Sequence, residues 1–371
     1  MQYSVIMSFE KNIATKILIV GGGLTGSVAA SLIKNEAVVN IEIWERMDQI
    51  GGRYQTYRSS TTPKCSIDCG AQYVSVSLDF IRSQAKFYDE LLEKEILVPL
   101  GQKIENFRKL SETKTVFVAP GGTDSLVAHF LQKADCSVHL QHEVTEINLK
   151  EEEKAWEVKA TNGIVRTFDV VILTIPVPEV LNLKGNFLSI SQDDDMKVAM
   201  EQVKYAPRFA VALVYDEPVK YLEDLATAMK YFPGDDILHF MSVDNKKREQ
   251  SKEVPGIILQ STTSFAEKYS DLNDDEIKHL MLEHIKCLLP ELPDPAFVKL
   301  FHWTYSMLIE PYVDTPGCVV INDYPCLISG GDSYTESTFN GCITSAVIIV
   351  EELLKRVKFL KGHHQGRRRS S

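Results

Sequence analysis

The chain has 371 residues, 44% hydrophobic and 25% charged, a balance that suits a globular protein with room for two domains. Its 51 acidic side chains outnumber 40 basic ones and leave a net charge of −11, which argues against nucleic acid as the main partner, because phosphate backbones call for clustered Lys and Arg. No apolar run approaches the roughly 20 residues of a membrane-spanning helix.

In chain order, residues 1–15 read as a disordered extension. The apolar run 17–20 reads as a buried strand, 24–36 as a helix and the alternating stretch 41–44 as the next strand, which together make a βαβ start. A long helix is expected over 79–95, with Phe80, Phe87, Leu91 and Leu92 on its apolar face. A strand at 115–118 and a Pro-Gly-Gly turn lead into a helix over 124–134. Short strands are expected near 136–140, 143–149, 155–160 and 164–168, then a buried strand over 169–174 that Pro176 and Pro178 stop. From 178 to 320 the chain is punctuated by proline, with strands at 209–215, 239–243 and 256–260 and a helix over 274–289. A short strand at 326–329 and a helix over 341–358 close the fold. The order predicts a nucleotide domain (16–75, 119–177 and 322–358) interrupted by a substrate domain (76–118 and 178–321), with a basic disordered tail over 359–371.

Seven cysteines, an odd number with no C-x-x-C pair, read as free thiols of a reducing compartment. The N-terminus lacks the basic and apolar regions of a signal peptide, so a cytoplasmic protein is expected, with secretion as the alternative.

Gly21, Gly23 and Gly26 fit G-x-G-x-x-G between a strand and a helix. The spacing allows a tight turn, a pyrophosphate against bare backbone, and close packing of helix on strand. Glu45 closes the next strand, where a carboxylate can accept hydrogen bonds from a ribose. NAD and FAD share this pattern. Gly51-Gly52-Arg53 offers a second close approach with a cation for a phosphate or flavin edge. Gly330-Gly331-Asp332 follows the last strand, and the helix after Asn340 can direct its positive end at the N1–C2=O edge of a flavin. The three pieces in this order favour FAD. There is no H-E-x-x-H, no Walker loop and no G-x-S-x-G, so neither a metal site nor a catalytic base is assigned. Tyr205, Phe209, His239, Trp303 and Tyr305, in the middle of the chain, are candidates to border the substrate.

The segments ILIVGGGLTGS, WERMDQIGGR, DCGAQYV, KFYDELL, VVILTIPVPEVL, SVDNKKR and SGGDSYTESTFNGCITSA resemble the renalase family, flavoproteins related in fold to flavin amine oxidases. The likeness runs from about residue 16 to 356. It implies an α/β fold: a Rossmann-like FAD-binding domain with an inserted mixed α+β substrate domain, in the topology of p-hydroxybenzoate hydroxylase and the amine oxidases. It implies non-covalent FAD held through Gly21, Gly23, Thr25, Gly26, Glu45, Gly52, Arg53, Gln72, Tyr73, Val144, Asp332 and Ile343, with Val144 beside the adenine and Gln72 and Tyr73 near the isoalloxazine. The implied activity is oxidation of 2- and 6-dihydro-NAD(P) isomers to NAD(P)+ by hydride transfer to flavin N5, with O2 as the second partner and hydrogen peroxide as product. A flavin amine oxidase acting on a primary amine is the alternative chemistry, and a secreted signalling flavoprotein the alternative class. The chain departs from vertebrate renalases near Trp303. It reads Thr304-Tyr305 where they carry Arg-His, and His239 where they carry Arg, so cations expected to steer substrate phosphates are missing.

Overall fold

The strand Lys16–Val20 is apolar on both faces because both faces are covered. Ile17 and Ile19 point to one core, Leu18 and Val20 to another. The computed structural model describes residues 14–60, 62, 65–107, 114–191, 193–250 and 254–357. Residues 1–13 of the expected extension and the tail 359–371 lie outside the described residues.

The first sheet has the order Cys318–Asn322, Cys326–Gly330, Val170–Leu173, Lys16–Val20, Asn40–Trp44, Ser137–His139. All pairs are parallel except the first, a hairpin. The helices Leu24–Glu36, Asp124–Ala134 and Phe339–Arg356 cover the Ile17 and Ile19 face, and a three-stranded sheet (Val144–Lys150, Ala155–Ala160, Val165–Phe168) covers the other. This layered arrangement is a Rossmann-like α/β architecture. The open edge of the central strands, at Val20, Trp44, Leu173 and Gly330, is where such sheets receive ligands.

The second sheet is mostly antiparallel, in the order Phe297–Glu310, Lys204–Val214, Gly256–Ser261, Leu238–Val243, Met229–Tyr231, Ile104–Glu105. Its faces divide by strand parity. Phe209, Val211 and Leu213 face the helices Thr263–Lys268 and Asp274–Leu288 through Phe265, Ala266, Ile277, Met281 and Ile285. Arg208, Ala210, Ala212 and Val214 fall on the opposite face, where Ala210, Ala212 and Val214 pack with Ile67. The longer helix starts with a capping box between Asn273 and Glu276.

Three local expectations differ from the fold. The helix expected over 79–95 is two helices, Leu78–Ser83 and Ala85–Glu93, with Gln84 out of helical geometry between them. Val76, Phe87, Tyr88, Leu91, Leu97 and Phe117 pack in the core of the first sheet, although 76–118 was expected with the substrate domain. Of that stretch, Ile104–Glu105 pairs with the second sheet. The strand Cys318–Asn322 also belongs to the first sheet, because the hairpin to Cys326–Gly330 needs no crossover. Among the described residues no helix is long and apolar enough to cross a membrane.

The lobes are bolted together by buried charge. Asp68 follows the first lobe's second glycine loop, and Asp244, Lys247 and Arg248 lie in the DNKKR turn of the second lobe. Lys247 Nζ reaches Asp68 Oδ2 at 2.9 Å and Asp244 Oδ1 at 3.0 Å, and Arg248 Nη2 reaches Asp68 Oδ1 at 2.8 Å and Asp244 Oδ2 at 3.1 Å. These side chains are at most 1% exposed. Thr56 Oγ1 and Thr123 N also donate to Asp68 Oδ1, and Ser242 Oγ donates to Asp244. Burial alone would raise the Asp68 carboxyl, but Lys247 and Arg248 hold it well below the usual carboxylate range. Removing one member strands a buried opposite charge, so Lys247→Met should lower stability by about 3–5 kcal/mol. Urea unfolding of the purified variant checks this. An unchanged midpoint would show that the bolt does not hold the lobes.

Candidate functional site

One cavity of about 930 Å³ runs from the open edge of the first sheet to the exposed face of the second. Its size and concave form suit a large ligand.

At one end is the first glycine loop. Gly23 is the N-cap of the helix Leu24–Glu36, no side chain caps it, and the first turn holds no acidic residue. Its N–H groups and positive dipole end are therefore left to an anion. A methyl added at Gly23 would meet nothing within 4 Å, so the glycine keeps open space inside the cavity. Gly26 differs. A methyl there would lie 2.4 Å from the carbonyl oxygen of Gly21, so this glycine serves the packing of helix on strand and does not line the cavity.

Glu45 is buried and fixed by backbone. Gly22 N donates to Oε2 at 2.7 Å and Met47 N to Oε1 at 2.9 Å. A carboxylate accepts about four hydrogen bonds, so each oxygen retains capacity for a ribose hydroxyl. Val144 lies on the same cavity wall with His142, whose ring meets Trp44 edge-on at 5.5 Å. Across the mouth, Arg46 Nη1 donates to Glu179 Oε1 at 2.5 Å.

The second glycine loop docks on the first. Gly51 N donates to Gly22 O at 2.9 Å, and Gly51 holds φ +125°, a conformation that favours glycine. The turn delivers Arg53 to Asp332, 279 positions away in sequence. Nη1 donates to Oδ2 at 2.7 Å and Nη2 to Oδ1 at 2.6 Å. Tyr205 Oη and Ser337 Oγ, both at 2.8 Å, take the remaining acceptor positions of Asp332. Burial would raise the Asp332 carboxyl, and Arg53 reverses this and holds it below its ordinary value. Tyr205 thus supports Asp332 and does not line the cavity. Ile343, one turn into the closing helix, is fully buried in the first core. That helix begins beside the cavity at Cys342, with Thr338 capping Gly341 N and no acid in its first turn. Burial pushes the Cys342 thiol up to about 11, so it stays protonated at neutral pH.

The residues around the middle of the cavity hold one another. Gln72 Oε1 accepts from Lys247 Nζ at 3.1 Å, and Nε2 donates to the carbonyls of Asp68 at 2.5 Å and Gly70 at 3.1 Å. Trp303 Nε1 donates to Cys69 O at 3.0 Å, and Gln260 Nε2 to Gly70 O at 2.8 Å. Tyr73 and Tyr231 share a hydroxyl–hydroxyl hydrogen bond of 2.6 Å across the two lobes. His239 meets the Tyr231 ring edge-on at 5.2 Å.

Most residues read from the sequence thus line this cavity: Gly21, Gly23, Thr25, Glu45, Gly52 and Arg53, with Gln72, Tyr73, Val144 and Asp332 along its length and His239, Trp303 and Tyr305 at the far end. Phe209 does not. Strand parity turns it onto the helix face, against Phe265 and His302, and puts its neighbour Arg208 in the cavity. Arg208 was not anticipated, although a charge alternating with Ala210, Ala212 and Val214 was visible in the sequence. Tyr231 and Gln260 were also missed, since nothing local marks them, and Lys247, inside SVDNKKR, was given no role.

The arrangement has a long groove with an anion-seeking helix end, a ribose acceptor and an aromatic far half. The glycine positions, the uncapped helix and the acceptor capacity of Glu45 fit a dinucleotide cofactor such as FAD.

Comparison with known proteins agrees. Residues 97–354 match the family of flavin containing amine oxidoreductases, and residues 19–91 match the NAD(P)-binding Rossmann-like domain. Renalase from Mus musculus is 36% identical over 346 residues, 92% of this chain and 99% of that protein. Among solved structures, a putative protoporphyrinogen oxidase from Exiguobacterium sp. 255-15 superposes with a TM-score of 0.69 at 13% identity, over 92% of this chain and 99% of its own. A putrescine oxidase bound to putrescine also gives 0.69, at 12% identity, over 93% of this chain and all of its own. These two establish likeness of fold.

The two glycines separate ligand from scaffold. Gly23→Ala should leave the unfolding midpoint of the flavin-free protein unchanged but cut flavin content at least about tenfold, because the methyl occupies the phosphate's approach. Gly26→Ala should lower the midpoint, by roughly 3 kcal/mol from overpacking. Absorbance at the flavin bands and thermal unfolding read both, and equal behaviour of the two variants would contradict the division.

Proposed function

Since this chain belongs to the renalase family of flavin containing amine oxidoreductases and is an FAD-dependent oxidoreductase, we propose that it oxidises dihydronicotinamide dinucleotides whose extra hydride sits at ring position 2 or 6, returning NAD(P)+. The observation that carries this reading is the charge of the far half of the cavity. Arg208 lines it, and the carboxylates along the cavity are elsewhere: Glu45 on the first loop, Glu143 and Glu179 at the mouth, Asp332 on Arg53. A protonated amine would meet a like charge there and no acidic partner among the described residues. A dihydropyridine is neutral and flat, and Trp303, Tyr231 and Tyr73 offer aromatic walls for it.

Bound FAD supplies the hydride acceptor, and its reoxidation by O2 yields hydrogen peroxide. The protein's own part is positioning. Gly23 and the helix behind it receive the pyrophosphate, Glu45 the ribose, and Arg53 with Asp332 fixes the floor beneath the ring system. Gln72 has both ends of its amide engaged by Lys247 and the 68–70 backbone, so it packs as a rigid wall. No general base is required, because the hydride leaves with both electrons and the ring gains aromaticity without losing a proton. Cys318 and Cys326, buried and without disulfides, support a reducing, cytoplasmic setting.

Mixing the yellow protein anaerobically with 2-, 6- and 4-dihydronicotinamide dinucleotides tests the proposal. The flavin absorbance should bleach fast with the first two and not with the third. Bleaching by primary amines alone would overturn it. Acid precipitation should leave the colour in the supernatant, as expected for a cofactor not bonded to the protonated Cys342, and a yellow pellet would count against non-covalent binding.

A further inference from the structure

Every other described arginine has a carboxylate within 4.0 Å: Arg46, Arg53, Arg58, Arg82, Arg166, Arg248 and Arg356. Arg208 has none. Its Nε is buried without a hydrogen-bond partner, and Nη2 makes one long contact, 4.0 Å to Met307 Sδ. The side chain nevertheless lines the cavity, in company with Met307 and Tyr231. Strand parity fixes its direction, since Arg208 pairs with Trp303 on the cavity face of the second sheet.

Arg208 is half-buried, with Nε shut off from water and the rest of the guanidinium facing the cavity; a cation held there without a counter-ion is costly, and burial draws its affinity for the proton down. Such a residue persists where a ligand completes it. Its planar fork carries five donors and matches an oxyanion in two-point fashion. The first helix end and Glu45 serve the cofactor at the opposite end of the cavity, so the anion for Arg208 belongs to the second ligand. We propose that Arg208 is the substrate-recognition residue for the diphosphate bridge of the dinucleotide. This rests on the dinucleotide reading above.

The test uses the FAD-loaded protein and binding alone. ADP-ribose carries the diphosphate without a nicotinamide, and 1,4-dihydronicotinamide riboside carries the neutral ring without phosphate. Their dissociation constants are read from perturbation of the flavin spectrum or by calorimetry. Arg208→Gln should weaken ADP-ribose about 10- to 100-fold, the size of one charge-assisted pair, and leave the riboside unchanged. Arg208→Lys should recover part of the loss. Equal weakening of both ligands would assign Arg208 to the ring or to the fold and overturn the proposal, as would unchanged ADP-ribose binding. Should the glutamine variant not fold, phenylglyoxal labelling of the wild type decides: Arg208 should be modified, and ADP-ribose should protect it. Labelling unaffected by ADP-ribose would overturn the proposal. If no dihydronicotinamide bleaches the flavin yet ADP-ribose still depends on Arg208, the redox reading fails and the anion site stands.

Discussion

The two-point ion pair between Arg53 and Asp332 is the contact on which the site depends. It joins a loop near the N-terminus to the turn after the last strand of the first sheet. Tyr205 adds a third part of the chain, since its hydroxyl donates to the same carboxylate and its ring lies 5.6 Å from the Arg53 guanidinium. A discontinuous nucleotide lobe needs such a closure, because its pieces are separated by the whole second lobe. The buried quartet around Lys247 does the same for the two lobes. Both devices pair buried charges of opposite sign, and Arg53 and Asp332 line the cavity.

That pairing bears on how each half of the cavity works. Around the cofactor end three carboxylates are held: Glu45 by backbone N–H groups, Glu179 by Arg46, Asp332 by Arg53. Their geometry is set before any ligand arrives, which lowers the cost of ordering on binding. At the far end the walls are aromatic and amide, and Arg208 is a cation with no carboxylate partner among the described residues.

The local pattern of the first lobe was legible in the sequence. The run at 17–20, the helix Leu24–Glu36 and Glu45 are neighbours in the chain, and the physics that places them acts over short range. The helix Asp124–Ala134 was read with its boundaries intact. Long-range consequences were not legible. Arg53 and Asp332 were each singled out, but as separate ligand contacts, because nothing in either motif says that they meet. The fourteen-residue strand Phe297–Glu310 escaped notice, since charged and polar residues alternate along it without an apolar run. Phe209 reads from the sequence as a pocket residue because of its aromatic ring, and Arg208 beside it carries no such mark. Parity along the strand exchanges the two once the helix-covered face is known.

The bridge between Tyr73 and Tyr231 has a consequence in proton counting. Burial pushes both phenols upward, so each keeps its hydrogen across the physiological range. Two hydroxyls therefore bring two hydrogens to one 2.6 Å contact that uses a single one. Whichever ring accepts is left with its own O–H to give away. The cavity thus holds a neutral donor whose supply does not vary with pH, and either lobe can provide it by rotation of one bond.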